Sequence, residues 1–331
     1  MSTGAGASDL LHAEDSGLDQ MVRGEQAVAA RSPMQLFWRR FRRDRVAMTA
    51  LVFIVVLIVV AIFAGPISRA FGAPPPNEQQ SSALDSFGLP EGPSREHLFG
   101  VDPIGRDVFA RVLYGAQVSL TVAFVGTGLS VFFGVILGTV AAFYRRWVDT
   151  VIARTLDVML AFPVLLLGLG LATACSGADG CLGGLIQPGL SVVIAIIVLA
   201  NTPYVARIIR GQVLSLREKE FVEASRSLGA SNGRIMFRDI LPNLVAPIIV
   251  YATLFIPANI LLEAALSFLG VGVQPPRASW GEMLSDAVSN FDTAWWFMFF
   301  PGMALLLTVL AFNLVGDGLQ DALNPKSTRS N

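Results

Sequence analysis

Lysine and histidine are nearly absent from this chain of 331 residues, and each absence excludes a class of enzyme. Lys219 and Lys326 are the only lysines, and neither follows a glycine, so the Gly-Lys pair of a phosphate-binding P-loop is missing. His12 and His97 are the only histidines, so the chain has no HExxH zinc helix. It therefore has no Walker-type site for ATP hydrolysis and no zinc-peptidase site.

Charged residues are also scarce. They make up 15% of the chain, against 53% hydrophobic residues, and the mean hydropathy is +0.59. Soluble domains carry about 25% charged residues, so this composition indicates a membrane protein. The net charge of −1 gives no reason to expect nucleic acid as a partner.

Apolar runs long enough to cross a bilayer occur six times. The first, 46–67, is uncharged and would span roughly 33 Å as a helix. The other five are 117–144, 155–174, 189–209, 244–266 and 294–315. We therefore predict an all-α polytopic membrane protein with six transmembrane helices.

The segments outside these runs complete the predicted organisation. Residues 1–30 are polar and lack apolar periodicity, as is typical of a disordered tail. We expect a basic segment at 31–45, an external loop at 68–116, and a C-terminal tail at 316–331. The remaining five helices form a core at 117–315, which is interrupted by a long polar segment at 210–242.

Arginine and lysine are distributed unevenly among the connecting segments. The N-terminal segment has seven, the loop after span two has three, the polar segment after span four has seven when it is counted from Arg207, and the C-terminal tail has two. The alternate segments have four, none and one. This bias of nineteen against five predicts that both termini and the segment 210–242 face the cytoplasm. The arginine cluster at 39–45 fits an anchor on anionic membrane lipid.

The polar segment contains the sequence EASRSLGASNGRIMFRDILPN at 223–243. The residues before Gly229 favour a helix, and Gly229 is suited to end it. A second short helix is expected to stop at Pro242, where the next span begins. The apolar stripe of the first helix consists of Phe221, Ala224 and Leu228. Two short helices with a bend would form a knob that docks on a partner.

This segment resembles the EAA motif of ATP-binding-cassette importer permeases, which reads Glu-Ala-Ala, three residues, Gly, nine residues, Ile, one residue, Leu-Pro. The matching residues are Glu223, Ala224, Gly229, Leu241 and Pro242. Ser225 replaces the second alanine, and Asp239 replaces the isoleucine. In that family the segment is a coupling helix that inserts into the ATPase subunit. The resemblance implies this role for the matched residues. It implies the same role for four other residues of the segment, which are Ser225, Leu228, Ile235 and Asp239.

Two further stretches resemble the dipeptide, oligopeptide and nickel branch of these permeases. They are HLFGVDPIGRDVFARVLYGAQVSL at 97–120 and ILLEAALSFLGVGVQPPRASWGEML at 260–284. The resemblance extends from Arg39 to the C terminus and is strongest to the C-type permease of dipeptide and oligopeptide systems. It implies the type I importer permease fold, called MetI-like, and an amphipathic elbow helix at 31–45.

The resemblance also implies partners and cargo. A second permease subunit, cytoplasmic ATPase subunits that bind ATP and Mg, and an external substrate-binding protein are expected, with no cofactor on this chain. The first cargo implied is a short peptide, while nickel chelates, glutathione and haem stay open. Such a chain is a translocation subunit of a bacterial inner membrane and not an enzyme. The alternatives are a secondary carrier, which needs no ATP, and a lipid-modifying membrane enzyme with converging catalytic groups.

Two acidic residues lie in or beside the predicted spans. A charge at the bilayer centre costs about 2.5–3.5 kcal/mol on insertion scales, so each requires a physical reason. Asp157 is near the start of its span, where a structural role at the interface is favoured. For Glu263 the two alternatives are equal: a contact with substrate or gate, and a hydrogen bond that packs helices.

Two further groups are candidate site residues, one before the second span and one after the third. Gly105, Arg106 and Asp107 precede the second span, where a structural turn is favoured over contact with an external partner. Cys175 and Cys181 lie six positions apart in a loop predicted to be external. In an oxidising compartment they can close a small structural disulfide, and neither is a catalytic candidate.

Overall fold

The computed structural model describes residues 33–323 except 178, 179, 182 and 185, and helices account for most of them. The helices are α1 (Pro33–Arg43), α2 (Arg45–Ile62), α3 (Ala64–Ala70), α4 (Val108–Tyr144), α5 (Arg146–Ala161), α6 (Val164–Ala174), α7 (Leu190–Arg217), α8 (Glu220–Ser227), α9 (Asn232–Phe268), α10 (Trp280–Val288) and α11 (Trp295–Leu323). A short 3-10 turn occupies Ser81–Ala83. The predicted tail at 1–30 lies outside the described residues.

The helices α2, α4, α7, α9 and α11 are each long and apolar enough to cross a membrane. The pair α5 and α6 passes the same test when its two helices are taken together, although they meet at 87°. Counting the bent pair as one span gives six, so the predicted all-α polytopic fold with six transmembrane helices is confirmed.

The third span is not the continuous helix expected at 155–174. It breaks at Phe162 and Pro163, where α5 ends and α6 begins. Proline has no N–H for the helical hydrogen bond, and its ring disfavours the helical conformation at the residue before it. Phe162 is accordingly extended, with φ −85° and ψ 126°.

Three other helix ends differ from the predicted limits. The second span begins at Val108 rather than 117, because Asp107 caps the helix by accepting a hydrogen bond from the Ala110 N–H at 2.8 Å. The loop expected at 68–116 therefore includes the start of α4 and the end of α3. The last helix continues to Leu323, into the expected tail at 316–331.

The centre of the bundle is the contact between α4 and α7. A Cβ atom on Gly134 would lie 2.5 Å from the Cβ of Val205, and one on Gly126 would lie 2.7 Å from Cγ2 of Ile197. Side chains at these positions would push the helices apart, so the glycines allow the two backbones to approach closely. Gly134 and Gly138, which are spaced as GxxxG, both face α7.

Polar side chains connect α9 to its neighbours inside the bundle. Asn259 donates from Nδ2 to the Thr127 hydroxyl at 2.7 Å and accepts from Asn201 Nδ2 at 2.6 Å. Glu263 is fully buried and accepts from the Ser119 hydroxyl at 2.8 Å and the Ser267 hydroxyl at 2.7 Å. Satisfied polar groups of this kind join α4, α7 and α9 in a surrounding that offers few other partners.

Candidate functional site

The candidate site is the knob, which we define as residues 218–240, between the end of α7 and the membrane-spanning part of α9. The chain leaves α7 at Arg217 and becomes extended at Lys219, with φ −84° and ψ 149°, before α8 begins. The helix predicted to run through this region is therefore two helices with a break at 218–219. At the other end of α8, Gly229 takes φ +78°, a conformation that favours glycine.

A small apolar core holds the knob together. Val222 of α8 and Ile235 and Ile240 of α9 are fully buried, and Met236 is nearly so. They belong to one cluster with Phe143 at the end of α4 and with residues of α7. Packing against α4 and α7 fixes the position of α8, which has only eight residues and would be marginal alone.

The opposite face of the knob is apolar and exposed. Leu228 is 88% exposed, Phe237 68% and Phe221 41%, while Ala224 is also exposed. The predicted stripe of Phe221, Ala224 and Leu228 thus lies on the surface rather than in the core. An exposed apolar surface on a projecting element is typical of a docking site for another protein.

Arginines of α7 connect the knob to the ends of α4 and α5. Arg217 donates from Nη1 to the carbonyl oxygens of Phe143 at 2.6 Å and Ala142 at 3.2 Å. These carbonyls lie in the last turn of α4, where a cation also interacts favourably with the helix dipole. Arg210 forms a two-point ion pair with Asp149 of α5, at 2.6 and 2.7 Å. These contacts connect the end of α7, from which the knob leaves, to both helices.

The motif residues divide between the surface and the interior of the knob. Glu223 and Gly229 are exposed, as are Ala224 and Leu228, and Ser225 is half-buried. Asp239, which replaces the family isoleucine, is half-buried, and its Oδ2 atom has no hydrogen-bond partner within the described residues. Ile235 is fully buried and holds the knob rather than facing outward.

The second short helix of the knob does not stop at Leu241 and Pro242, as the sequence predicted. The helix continues through both residues, because proline fits at the first turn of the following α-helical segment. The residues before it, Ile235–Ile240, form a π-helical segment. The Asn243 side chain donates to the Asp239 carbonyl at 2.7 Å, within the turn that contains the proline. The knob is thus continuous with the membrane-spanning part of α9.

Ser231 lies in the spacing Gly-x-Ser-x-Gly, between Gly229 and Gly233, which is the spacing of a nucleophile elbow. That elbow requires a strand before the serine, whereas here a helix and a turn precede it. The Ser231 hydroxyl accepts from the Arg234 N–H at 3.4 Å and caps α9. His97, the histidine within the described residues, lies on the loop before α4, at the opposite end of that 37-residue helix from the knob.

Glu263 is enclosed by the helices around it. Its carboxylate is bound by Ser119 and Ser267, and the side chain has no exposed surface. A cavity of about 360 Å³ beside the break in the third span is lined by Leu262, Asn201 and Tyr204, without Glu263. In this conformation the geometry favours the packing interpretation over a contact with substrate.

At the other end of α4, a buried ionic cluster includes the expected turn residues. Arg106 donates from Nε to Asp102 at 2.5 Å, and Gly105 has φ +79° in the same turn. Asp107 is fully buried, caps α4 and lies 2.9 Å from His97 Nδ1. These contacts within the chain match the structural interpretation of 105–107.

One ion pair of this cluster was not predicted from the sequence. Arg111, which is fully buried, donates from Nη2 to both carboxylate oxygens of Glu282 at 2.8 and 3.1 Å. Burial raises the pKa of the Glu282 carboxyl above its ordinary value, while the charge of Arg111 acts in the opposite direction. The partners are 171 residues apart, so neither spacing nor local pattern could have paired them.

The remaining predicted residues make contacts within the chain. Cys175 and Cys181 are joined by a disulfide, which closes the loop after α6. Asp157 is half exposed and pairs with Arg207 at 2.9 Å and Arg154 at 3.4 Å. It therefore contacts cations of its own helix and of α7 rather than lining a pathway.

Comparison with known families decides the identity of the fold. Residues 131–329 match the family described as the binding-protein-dependent transport system inner membrane component. Residues 32–90 match the N-terminal TM domain of oligopeptide transport permease C. The chain belongs to this family of ABC importer permeases. It is a multi-pass protein of the inner membrane and a transport subunit rather than an enzyme.

Individual relatives cover nearly the whole permease. The dipeptide transport system permease protein DppC of Alkalihalophilus pseudofirmus is 41% identical over 302 residues, which are 91% of this chain and 93% of that protein. The glutathione transport system permease protein GsiD of Escherichia coli O6:K15:H31 is 43% identical over 300 residues, or 89% and 91% of the two chains.

A solved structure has the same fold. The MetNI methionine ABC transporter, in an inward-facing conformation, contains a chain that superposes with a TM-score of 0.53 at 18% identity. The match covers 65% of this permease and 96% of that chain. The predicted MetI-like fold is therefore confirmed, and the knob lies within the region that matches the permease family.

Proposed function

We propose that this permease converts ATP hydrolysis on a separate ATPase subunit into peptide uptake, and that the ATPase docks on the knob. The observation that carries the proposal is the exposed apolar stripe of the knob. Leu228 has no role in the knob's core, since 88% of its surface is exposed. An apolar side chain that a rigid element holds in water is unfavourable unless another protein covers it.

The proposed orientation places the knob and both termini in the cytoplasm. The knob also carries exposed arginines, among them Arg226, Arg234 and Arg238. Basic residues are retained on the cytoplasmic side of bacterial inner-membrane proteins. ATP is available on that side, so a docking surface for an ATPase is expected there.

The contacts of α7 suggest how the docked ATPase acts on the bundle. Val222 and Ile235 make the knob one packed unit, so a force on its surface moves it as a body. Arg217 and Arg210 then carry the displacement to α4 and α5. The break at Pro163 lets α5 move with the knob while α6 keeps its own direction.

The proposed cargo is a short peptide delivered by an external substrate-binding protein and passed between this chain and a second permease. The names of two relatives specify dipeptides and glutathione. Both molecules contain peptide bonds, so a peptide is the cargo class they share. Proteoliposomes loaded with ATP, in which uptake of a labelled dipeptide competes with glutathione or a nickel chelate, measure the preference.

The docking proposal is tested with Leu228→Asp and the matched control Leu98→Asp. Both leucines are exposed, at 88% and 38%, but Leu98 lies on the loop before α4. An aspartate in a desolvated interface is strongly disfavoured. We expect Leu228→Asp to lose the ATPase subunit during purification in mild detergent and to abolish ATP-driven uptake, while the control retains its ATPase subunit. A Leu228→Asp protein that keeps its ATPase and its uptake would refute docking through the stripe.

A further inference from the structure

An exposed aromatic residue lies in the loop at the opposite end of α4 from the knob. Phe87 is 88% exposed at the tip of a turn in the loop before α4, and its neighbour Leu89 is 46% exposed. We call residues 85–89 the Phe87 turn. Nothing within the described chain covers the Phe87 ring.

The Phe87 turn is held rigidly by its own hydrogen bonds. The Asp85 carboxylate accepts from the N–H groups of Phe87 and Leu89, each at 2.8 Å. The Asp85 N–H donates to the Leu89 carbonyl at 2.9 Å, and Gly88 takes the positive φ of +77° that the turn requires. The backbone that carries the aromatic ring is therefore held in one conformation, which lowers the entropy cost of binding.

The turn is also tied to the membrane bundle. The Glu91 N–H donates to the Ala83 carbonyl, and the Val101 N–H donates to the Glu91 carbonyl, both at 3.0 Å. The Trp296 indole of α11 donates to the Val101 carbonyl at 3.0 Å. A short series of hydrogen bonds thus connects the turn to a membrane-spanning helix.

The charge around the turn indicates which partner covers it. Within 71–107 the exposed carboxylates are Glu78, Asp85, Glu91 and Glu96, and the exposed cation is Arg95. None of these five side chains forms a salt bridge with another described residue. An acidic surface repels anionic lipid, so burial of Phe87 in the bilayer surface is disfavoured. A soluble protein with basic residues around an apolar pocket is complementary to it.

We infer that the Phe87 turn is the anchor on which the external substrate-binding protein docks. The inference rests on the proposed function, and the family description specifies dependence on a binding protein. Aromatic residues are enriched among the few side chains that dominate protein interfaces. The ring enters an apolar pocket of the binding protein, and the surrounding carboxylates face its basic rim.

The test compares Phe87→Ala with Phe291→Ala in the complete transporter in nanodiscs. Phe291 is 54% exposed and lies on the connection between α10 and α11, outside the Phe87 turn. We expect Phe87→Ala to raise the concentration of binding protein that gives half-maximal stimulation of ATP hydrolysis by about 10- to 30-fold. The control and the basal ATPase rate should not change, and higher salt should weaken stimulation of the unaltered protein.

A labelled variant distinguishes the binding protein from lipid as the occupant. Cys175 and Cys181 are bonded to each other, so Phe87→Cys offers a thiol for an environment-sensitive fluorophore. Emission that shifts to the blue when binding protein is added supports the inference. Quenching by brominated lipid before that addition would show that the turn lies in the bilayer and overturn it.

The outcomes also separate this inference from the proposed function. An intact complex with normal basal ATP hydrolysis, in which Phe87→Ala is stimulated like the unaltered protein, refutes the anchor and leaves the docking of the ATPase standing. An equal loss in Phe291→Ala refutes an anchor confined to the turn. Failure of the unaltered permease to assemble with an ATPase would refute the proposed function itself.

Discussion

Different substitutions of Gly229 test the backbone conformation of the knob separately from its docking surface. Gly229 has φ +78°, and a Cβ atom added there would meet no other atom within 4 Å. Alanine is therefore strained only in its backbone, by about 1–2 kcal/mol for a residue held in the left-handed conformation. Asparagine tolerates that conformation better than alanine, so we expect it to lose less stability.

Gly229→Glu adds to this strain a charged side chain on the exposed face. Its backbone cost equals that of alanine, so thermal unfolding in detergent should give similar midpoints for the two variants. The glutamate would stand on the exposed surface that we propose docks on the ATPase. Burying an unpaired charge in an interface costs several kcal/mol, which is enough to abolish docking.

The assay is ATP-driven uptake in proteoliposomes, measured together with the unfolding midpoint. We expect the alanine and asparagine variants of Gly229 to retain most uptake, and the glutamate variant to insert, fold and fail to transport. Normal uptake by Gly229→Glu would refute the assignment of the knob. Equal loss of uptake in the alanine and glutamate variants would show that the backbone conformation, rather than the surface, is what function requires.

Three further predictions follow from contacts elsewhere in the chain. Arg111→Met should lower stability by about 3–5 kcal/mol, because it leaves Glu282 buried without its partner, and the double variant with Glu282→Leu should recover most of that loss in thermal unfolding. Cys175→Ser should lower stability by about 2 kcal/mol by opening the small loop, and a reductant should lower the unfolding midpoint of the unaltered protein but not of the variant. Arg210→Gln should leave ATP hydrolysis by the complex intact but reduce uptake, since the two-point ion pair with Asp149 is lost. Uptake by this variant at the rate of the unaltered protein would contradict this coupling route.

Much of the fold could be predicted because hydropathy acts along the chain. A helix needs about 20 apolar residues to cross a bilayer, and this length is visible in the sequence wherever it occurs. The knob was located in the same way, as a polar interruption at 210–242, and its stripe followed from helical spacing. The limits of the spans were less accurate, since caps such as Asp107 and breaks such as Pro163 act on single residues.

The sequence alone determined the number of spans, the charge asymmetry, the position of the knob and the permease family, because each depends on residue types that are close together in the chain. Only the tertiary structure decided that Glu263 is enclosed by serines, that Arg111 pairs with Glu282, and that Arg217 holds the end of α4. These contacts join residues separated by 144, 171 and 74 positions. Folding brings them together through helix packing, which leaves no periodic signal between the two partners.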